Sequence, residues 1–407
     1  MTDAERTRGR ARVFGLTWVS YASYYLTRKG FSVTKARLVD RLGVSEAGLA
    51  AIDTAYLVLY ALGQFASGIL GDRIGARRRV GWGMLASAAF CAAFGLSSAT
   101  AIFLVAFGLN GLAQSTGWPG NTKAMAAWFT GRERGVVMGF WSTCYQAGGL
   151  AATAIATWLL TTFGWRWSFL GPAAWVAIVG AAILLFLPNF VPDHGPVGDE
   201  TAPTTPRAER ARVLRSVTVW SYGAAYFCVK LIRYSLIFWL PYYLHTALGY
   251  AEGASGYLSI SFEVGGMVGS VGFGLLSDRV TRFGRGAVAA AGLVGLAGAL
   301  LLYARIGGQG AVANFAGMAL VGALLFGPDS LLAGAAAQDL GGRHAAATAV
   351  GFVNGMGSVG AILQGFVTVG IRHRWGWSGV FRVFVILAAL GALCLVPALR
   401  SGKSESS

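Results

Sequence analysis

The segment that decides the fold is Gly-Ile-Leu-Gly-Asp-Arg-Ile-Gly-Ala-Arg-Arg at residues 68–78, a charged loop between two long apolar segments. Those segments cover 47–70 and 80–98, and a helix needs about 20 residues to cross a bilayer. A shorter copy of the loop, Ser-Asp-Arg at 277–279, follows Gly-Asp-Arg at 71–73 after 206 residues. Apolar segments joined by the same charged loop in two places indicate a membrane protein built from two similar halves.

Composition separates this chain from soluble proteins. Of its 407 residues, 55% are hydrophobic and only 12% are charged, whereas about a quarter of a soluble domain is charged. So little polar surface cannot cover a globular protein of this size, which excludes a soluble enzyme. We predict twelve apolar spans, at 14–34, 47–70, 80–98, 101–126, 135–162, 167–188, 217–245, 253–277, 286–306, 311–336, 344–371 and 376–399.

The spans fall into two sets of six on either side of the one long polar stretch, at 189–215, which is rich in proline and ends in arginines. We therefore predict an all-α membrane protein with twelve transmembrane helices in two pseudo-symmetric six-helix bundles. The bundles are expected at 1–188 and 216–407, joined by a cytoplasmic linker at 189–215. Repeated side chains support this division, because Tyr21, Tyr25 and Arg28 are matched 205 residues later by Tyr226, Lys230 and Arg233.

The net charge of +16 is distributed unevenly. Twenty of the 33 cations lie in the N-terminal tail, the linker and other segments on the same side, and seven lie on the opposite side. The positive-inside rule then predicts a multi-pass protein of the inner (cytoplasmic) membrane with both termini in the cytoplasm and no cleaved signal peptide. The charge reports orientation rather than nucleic-acid binding. The seven cations assigned to the outer side are Lys35, Arg37, Arg41, Arg166, Arg305, Arg372 and Arg374.

Six cations remain, and all lie within the predicted spans. An ionisable residue in a span costs about 2.5–3.5 kcal/mol on insertion, so each one suggests a functional role. Three acids, Asp53, Glu263 and Asp329, lie in spans beside them, which leaves an excess of positive charge. The six cations are Arg28, Lys29, Lys123, Lys230, Arg233 and Arg382.

Two of these cations, Arg28 and Arg233, occupy equivalent places in spans one and seven. Their repeat-related positions predict that they face one central cavity from opposite sides. A guanidinium meets a phosphate or carboxylate with two parallel hydrogen bonds, so the pair suits a phosphate dianion. Tyr21 and Tyr25 precede Arg28 at helical spacing, and Lys230 adds a charge beside Arg233. In the alternative interpretation, each arginine pairs with a buried carboxylate.

The loop at 68–78 resembles the signature loop of the major facilitator superfamily. We interpret it and its weaker second copy as a cytoplasmic gate in which Asp72 and the arginines pair with helix ends and with neighbouring residues. Charges that serve only to orient the chain are the alternative. The gate residues are Gly71, Asp72, Arg73 and Arg77 in the first copy and Asp278 and Arg279 in the second.

The first span contains Tyr-Tyr-Leu-Thr-Arg-Lys-Gly-Phe-Ser at 24–32, which resembles the first-helix motif of the organophosphate:inorganic phosphate antiporters. The resemblance implies the twelve-helix facilitator fold, exchange of a phosphate ester for phosphate, and phosphoryl binding by Arg28 and Arg233. It also implies an ion pair between the halves, Lys29 with Glu263. The side chains that match cavity-lining positions of the family are Tyr21, Tyr25, Tyr60 and Trp118.

Departures from the family pattern leave the organic part of the substrate open. Gln64 stands where one member has a cavity lysine, Tyr145 where it has a histidine, and Lys230 where it has a tyrosine. Lys123 is either a cavity residue or part of a pair at a helix end. Asp329 is expected to pair with Lys230 or Lys123. In span eleven, Asn354, Ser358 and Gln364 either bind a substrate hydroxyl or join helices.

The function favoured by these residues is exchange of an organic phosphate ester for inorganic phosphate by alternating access. A proton-coupled carrier of organic anions with the same fold and a non-transporting sensor of phosphate esters are the alternatives. No His, Cys, Asp or Glu cluster has metal-ligand spacing, so neither a metal nor a cofactor is expected. No nucleophile is paired with a base, so no enzyme is expected. The expected partners are the bilayer, phosphate and its ester, and the expected state is a monomer.

Overall fold

The structure is a computed structural model that describes residues 3–70, 75–129, 133–188, 215–279, 284–333 and 335–397. These residues form helices and no strand. The helices are α1 (Asp3–Leu42), α2 (Glu46–Leu70), α3 (Ala76–Leu96), α4 (Thr100–Gln114), α5 (Gly117–Trp128), α6 (Glu133–Phe163), α7 (Trp167–Phe186), α8 (Val217–Thr246), α9 (Glu252–Arg279), α10 (Gly284–Ile306), α11 (Ala311–Ala333) and α12 (Ala335–Cys394).

Each predicted span overlaps these helices, which confirms the all-α membrane fold. Within the described residues, eight helical segments are long and apolar enough to cross a membrane, by length and composition. The helix ends differ from those predicted. Helix α1 has 40 residues and extends beyond span one at both ends, so the basic N-terminal segment continues the helix rather than preceding it.

Span four is divided into two helices, α4 and α5, at Ser115 and Thr116. Proline has no N–H to donate to the carbonyl four residues earlier, and Pro119 therefore leaves the Ser115 carbonyl without its helical donor. The Gln64 side chain of α2 supplies the missing hydrogen bond, with its Nε2 3.3 Å from the Ser115 oxygen. The break thus explains why a polar side chain of α2 faces this point of the fourth span.

Span eleven and most of span twelve lie within α12, which has 60 residues and ends at Cys394. A straight helix of that length would measure about 90 Å. The chain instead reverses within α12, so that both of its arms contact the same part of α8. A Cβ built at Gly360 would lie 2.3 Å from the Phe227 carbonyl oxygen, and one built at Gly391 would lie 3.6 Å from the Cβ of the next residue, Cys228. Gly376 adopts a φ of 63°, which other residues rarely accept, and it marks the reversal. The two predicted spans are therefore separate crossings.

The helices group into two compact units. The first unit contains α1 to α7 together with residues Ala251–Tyr257, and the second contains α8 to α12 without those residues. Arg37 of α1 pairs with Glu252 at 2.5 Å, which ties the start of α9 to the first unit. The domain boundaries at 188 and 215 stay a prediction, because residues 189–214 lie outside the described part of the chain.

Close helix contacts through glycine bring the first unit's polar side chains together. Helix α2 packs against α4, and a Cβ at Gly111 would lie only 2.3 Å from the Tyr56 carbonyl oxygen. Small residues allow such approach where lipid provides no hydrophobic drive between helices. Tyr56 consequently reaches Gln114 of α4, with the hydroxyl 2.8 Å from Oε1.

In the second unit, α8 is surrounded by other helices. It packs against both arms of α12 and against α11. A Cβ at Gly357 would lie 2.4 Å from the Tyr226 ring. Buried apolar side chains of α8, α10, α11 and α12 form the core, including Leu293, Val321 and Phe384. This packing holds the face of α8 that contains Lys230 and Arg233.

Candidate functional site

Arg28 of α1 is held by the amide of Gln114 in α4. The Arg28 Nη2 donates to Gln114 Oε1 at 2.9 Å, and its Nε donates to the same oxygen at 3.3 Å. Tyr56 donates to that oxygen as well, at 2.8 Å. Gln114 is therefore a central residue of this site, although it is not among the site residues that the sequence predicts.

Tyrosine rings surround the same guanidinium. The Arg28 Cζ lies 4.7 Å from the centre of the Tyr25 ring, 5.4 Å from that of Tyr56 and 5.7 Å from that of Tyr60. Gln64 donates to the Tyr60 hydroxyl at 3.1 Å. A cation over an aromatic face is stabilised by the ring quadrupole. The rings therefore help to fix the orientation of the guanidinium.

A buried polar network determines which way Gln114 points. Its Nε2 donates to the Thr27 hydroxyl at 3.0 Å and to Asn110 Oδ1 at 3.3 Å. Asn110 in turn donates to the Thr27 carbonyl at 2.9 Å and accepts from Ser87 at 2.6 Å. Since the amide nitrogen is engaged on this side, the amide oxygen faces Arg28.

An aromatic cluster extends from the Arg28 site along α1. Tyr21 stands 6.1 Å from Tyr25, ring centre to ring centre, and 5.3 Å from Trp118, which is partly exposed. Trp118 and Tyr21 also contact Trp141 of α6. Tyr145 of α6 is half-buried and packs on the same core. The structure thus places Tyr21, Tyr25, Tyr60, Trp118 and Gln64 around one region of the first unit.

Arg233 of α8 has a carboxylate partner. Its Nη1 lies 2.6 Å from Asp329 Oδ2, with 17% of the arginine side chain and 9% of the aspartate side chain exposed. The guanidinium also lies 4.4 Å from the centre of the Phe326 ring, one turn before Asp329 in α11. The sequence predicts that Asp329 pairs with Lys230 or Lys123. That prediction is wrong, because α11 presents Asp329 to Arg233, and at Arg233 the alternative interpretation, an arginine paired with a buried carboxylate, is the one observed.

Lys230, three residues before Arg233 in α8, is a second cation near this site. Its Nζ lies 5.2 Å from the ring centres of both Tyr226 and Tyr234, the residues four before and four after it in α8. Tyr226 is buried, and Lys230 is half-buried. The tyrosine rings support the ammonium group in the way that the first unit's tyrosines support Arg28.

Lys35 and Asp53 form a second ion pair in the first unit. Lys35 Nζ lies 2.5 Å from Asp53 Oδ2, and neither side chain is exposed at all. The sequence predicts Lys35 to be an outer orientation charge, and this prediction is wrong, because the side chain is buried in an ion pair. Two features of the sequence could have identified the pair. Asp53 lies inside an apolar span and therefore needs a cationic partner, and Lys35 lies on the same face of its helix as Arg28, seven residues later.

The other predicted residues are less constrained by the structure. Lys29 is buried in α1 and Glu263 is half-buried in α9. They belong to different units, so their ion pair stays a prediction. Lys123 is half-buried in α5, and Arg382 is exposed in α12. The two interpretations of Lys123 therefore remain open.

Most of the predicted gate lies outside the described residues. This applies to Gly71, Asp72 and Arg73 and to the side chain of Asp278. Arg77, at the start of α3, donates through Nε to the Leu184 carbonyl near the end of α7. Arg279 is exposed at the last residue of α9. Arg77 thus contacts a helix end, one of the two kinds of partner that the sequence predicted.

Two residues of span eleven have structural partners. Asn354 Nδ2 donates to the Ala333 carbonyl at 3.2 Å and to the Val350 carbonyl at 3.0 Å, and Ser358 donates to the Asn354 carbonyl. Asn354 therefore joins α12 to α11. Within the described residues, no cluster of His, Cys, Asp or Glu could hold a metal ion. The four cysteines are thiols, and three of them are buried.

Comparison with known proteins gives a family for this arrangement. The model of the Major Facilitator Superfamily matches residues 17–365. A protein of Arabidopsis thaliana named as a candidate glycerol-3-phosphate transporter is 33% identical, over 95% of this chain and 86% of its own length. Sugar phosphate exchanger 3 of Bos taurus is 30% identical, over 95% of this chain and 92% of its own length.

A solved structure shows the same fold at low identity. It is a bacterial homologue of the human lysosomal transporter Spinster, in an inward-facing and occupied conformation, with a TM-score of 0.75 and 15% identity. The match covers 96% of this chain and 94% of the other. At that identity the likeness concerns the fold alone.

Proposed function

Because the chain belongs to the major facilitator superfamily and, within it, to the organophosphate:inorganic phosphate antiporters, we propose that it exchanges an organic phosphate ester for inorganic phosphate. It is a multi-pass membrane protein of a family that transports phosphate esters. In the proposal, Arg28 and Arg233 both bind the phosphoryl group, and the carrier alternates between the two sides of the membrane. The inner membrane, cytoplasmic termini and a monomeric state belong to the proposal.

The observation that carries the proposal is the fixed guanidinium of Arg28. Gln114 Oε1 accepts hydrogen bonds from the Arg28 Nε and Nη2, and three tyrosine rings surround the guanidinium. A guanidinium held in one plane loses little rotational freedom when a phosphate oxygen pair meets it, so the binding cost is small. Such preorganised cations are typical of sites that select planar, bidentate contacts with oxyanions.

The names of the relatives support the substrate class. One is named for sugar phosphates and another for glycerol 3-phosphate. Both substrates share a phosphate monoester and differ in their hydroxyl groups. Gln64, Tyr145 and Lys230 are the proposed contacts for that variable part. Lys123, Tyr21, Tyr25, Tyr60 and Trp118 complete the proposed binding residues.

The test is counterflow in proteoliposomes. Vesicles loaded with inorganic phosphate are expected to take up labelled phosphate much faster than vesicles loaded with sulfate at equal ionic strength. Glycerol 3-phosphate, glucose 6-phosphate and a phosphoglycerate, each offered outside, then rank the esters by inhibition of label uptake. Equal uptake into phosphate-loaded and sulfate-loaded vesicles, or no inhibition by any ester, contradicts the proposal.

A proton-coupled carrier of organic anions is the second candidate, and the Asp329 carboxylate beside Arg233 is the observation that favours it. Uptake would then follow an imposed pH gradient and ignore internal phosphate. The same vesicles distinguish the two functions when the internal and external pH are varied independently of phosphate.

A further inference from the structure

Arg233 already has an anion in its own unit. Asp329 Oδ2 lies 2.6 Å from Nη1, and the Asp329 side chain is 9% exposed. We propose that Asp329 takes the place of the phosphoryl group at Arg233 when no substrate is bound, so that the empty carrier can return across the membrane. Net transport then accompanies exchange. This inference rests on the proposed function, because it concerns the same site.

The surroundings of Arg233 make an anionic partner important for its positive charge. Phe326 covers one face of the guanidinium at 4.4 Å, and the Phe262 ring packs on Phe326, 5.2 Å between ring centres. These apolar groups reduce the screening of the arginine's charge by water. Lys230 adds a second positive charge one turn earlier in α8. A cation in such a place strongly favours a state in which an anion is bound to it.

Alternation requires the empty carrier to pass through a state in which water has little access to the site. An arginine that has neither an anion nor other polar or aromatic partners opposes that passage. Arg28 keeps the Gln114 oxygen and its tyrosine rings in the empty carrier, and Arg233 keeps Asp329. Asp329 supplies a single negative charge from within the protein. Inorganic phosphate supplies up to two charges and more acceptor oxygens, so it can displace Asp329 when present. Arg233 then keeps a partner throughout the transport cycle.

The geometry of α11 suits Asp329 as a replaceable partner of Arg233. Asp329 directly follows Pro328, whose missing N–H and fixed ring interrupt the helical hydrogen-bond ladder. The pair is also less enclosed than Lys35–Asp53, whose side chains are 0% exposed against 17% and 9% here. The enclosed pair has the character of a permanent contact, and the accessible pair that of a replaceable one.

The experiment measures two fluxes in the same proteoliposomes. Vesicles are loaded with labelled phosphate, and efflux is followed into medium that contains phosphate and into medium that contains sulfate. The wild-type protein is expected to show exchange together with a slower net efflux. An Asp329→Asn variant is expected to lower the ratio of net efflux to exchange at least about tenfold, because Arg233 loses its internal anion.

Controls separate this inference from its premise. Asp40→Asn, a matched change at an exposed acid of α1, is expected to leave the ratio unchanged. Asp329→Glu keeps a carboxylate and is expected to retain measurable net efflux. If Asp329→Asn does not yield monodisperse protein, Asp329→Ser removes the carboxylate with the same expectation.

The outcomes are distinct. A wild-type protein without phosphate exchange contradicts the proposed function itself. Exchange with no net efflux in the wild type contradicts the inference alone. An unchanged ratio in Asp329→Asn also contradicts it, while a lowered ratio that Asp329→Glu restores supports it.

Discussion

The two units place their buried carboxylates differently. In the first unit, Asp53 pairs with Lys35, and Arg28 contacts the Gln114 amide and tyrosine rings, which are uncharged. In the second unit, Asp329 pairs with the arginine itself, Arg233. The two arginines lie 205 residues apart at equivalent positions of a repeat. The repeat therefore conserves where the cations stand but not how each one is compensated.

The difference suggests different tasks for the two equivalent arginines in one transport cycle. Arg28 is held by an amide oxygen and aromatic rings, whereas Arg233 must exchange its carboxylate partner for a bound anion. We infer that Arg28 contributes mainly affinity and that Arg233 contributes mainly the response of the carrier to occupancy.

The largest effect is expected from breaking the enclosed pair. Asp53→Asn leaves Lys35 charged in a place with no solvent access, and removing one partner of a buried pair costs about 3–5 kcal/mol. We expect a clear fall in the unfolding midpoint of the purified protein in detergent. The double variant Lys35→Met, Asp53→Leu removes both charges and should recover most of the loss. Asp40→Asn is the matched exposed control, and an equal midpoint in Asp53→Asn and Asp40→Asn would contradict the prediction.

The next effect concerns the guanidinium of each site. Arg28→Lys and Arg233→Lys retain the charge but lose the two parallel hydrogen bonds, which is expected to reduce phosphate exchange about 100-fold. Initial exchange rates in proteoliposomes with equal protein content measure this. Arg41→Lys, at an exposed position of α1, is the control and should exchange normally. Exchange within a factor of two of wild type in both site variants would remove the arginines from the site.

A smaller effect is expected at Lys230, which supplies charge beside Arg233 without a planar fork. Lys230→Gln should raise the phosphate concentration for half-maximal exchange about fivefold, and more at low salt, because a point charge acts through screened attraction. Lys230→Arg keeps the charge and should remain near wild type. A salt-independent change, or none, would assign Lys230 to packing against Tyr226 and Tyr234.

The smallest effect is expected at Tyr60. Tyr60→Phe removes the hydroxyl that accepts from Gln64 but keeps the ring near Arg28. Exchange should stay within about twofold of wild type, since cation–π attraction depends on the ring face. Tyr60→Leu, which removes the ring, should lose more. A greater loss in the phenylalanine variant than in the leucine variant would show that the hydroxyl matters more.

The sequence predicts the helices and the cation-bearing faces because both follow from local periodicity. Tyr21, Tyr25 and Arg28 are neighbours on α1 by spacing alone, as Lys230 and Arg233 are on α8. The partners from other helices could not be predicted in this way. The Tyr56 hydroxyl reaches Gln114 because α4 approaches α2 at Gly111. The contacts of Arg28 with Gln114 and of Arg233 with Asp329 join different helices, and spacing along one helix does not predict them.

Lys35 shows a second limit of sequence reasoning. A cation just beyond an apolar segment is ordinarily an orientation signal, and the apolar pattern predicts that span one ends at residue 34. In the structure, α1 continues to Leu42, so Lys35 remains on the helix face that meets Asp53 of α2. The length of a helix beyond its apolar part is set by tertiary packing, which hydropathy does not report.

The most direct measurement of the difference between the units is the phosphate affinity of two variants, one that adds a carboxylate beside Arg28 and one that removes the carboxylate beside Arg233. Gln114→Glu gives Arg28 a carboxylate, and Asp329→Asn takes the carboxylate from Arg233. Titration calorimetry on the purified protein in detergent should show opposite changes. We predict phosphate binding about tenfold weaker in Gln114→Glu and tighter in Asp329→Asn, since one adjacent charge contributes on the order of 1–4 kcal/mol. Weaker binding in both variants, or no change in either, would contradict the account.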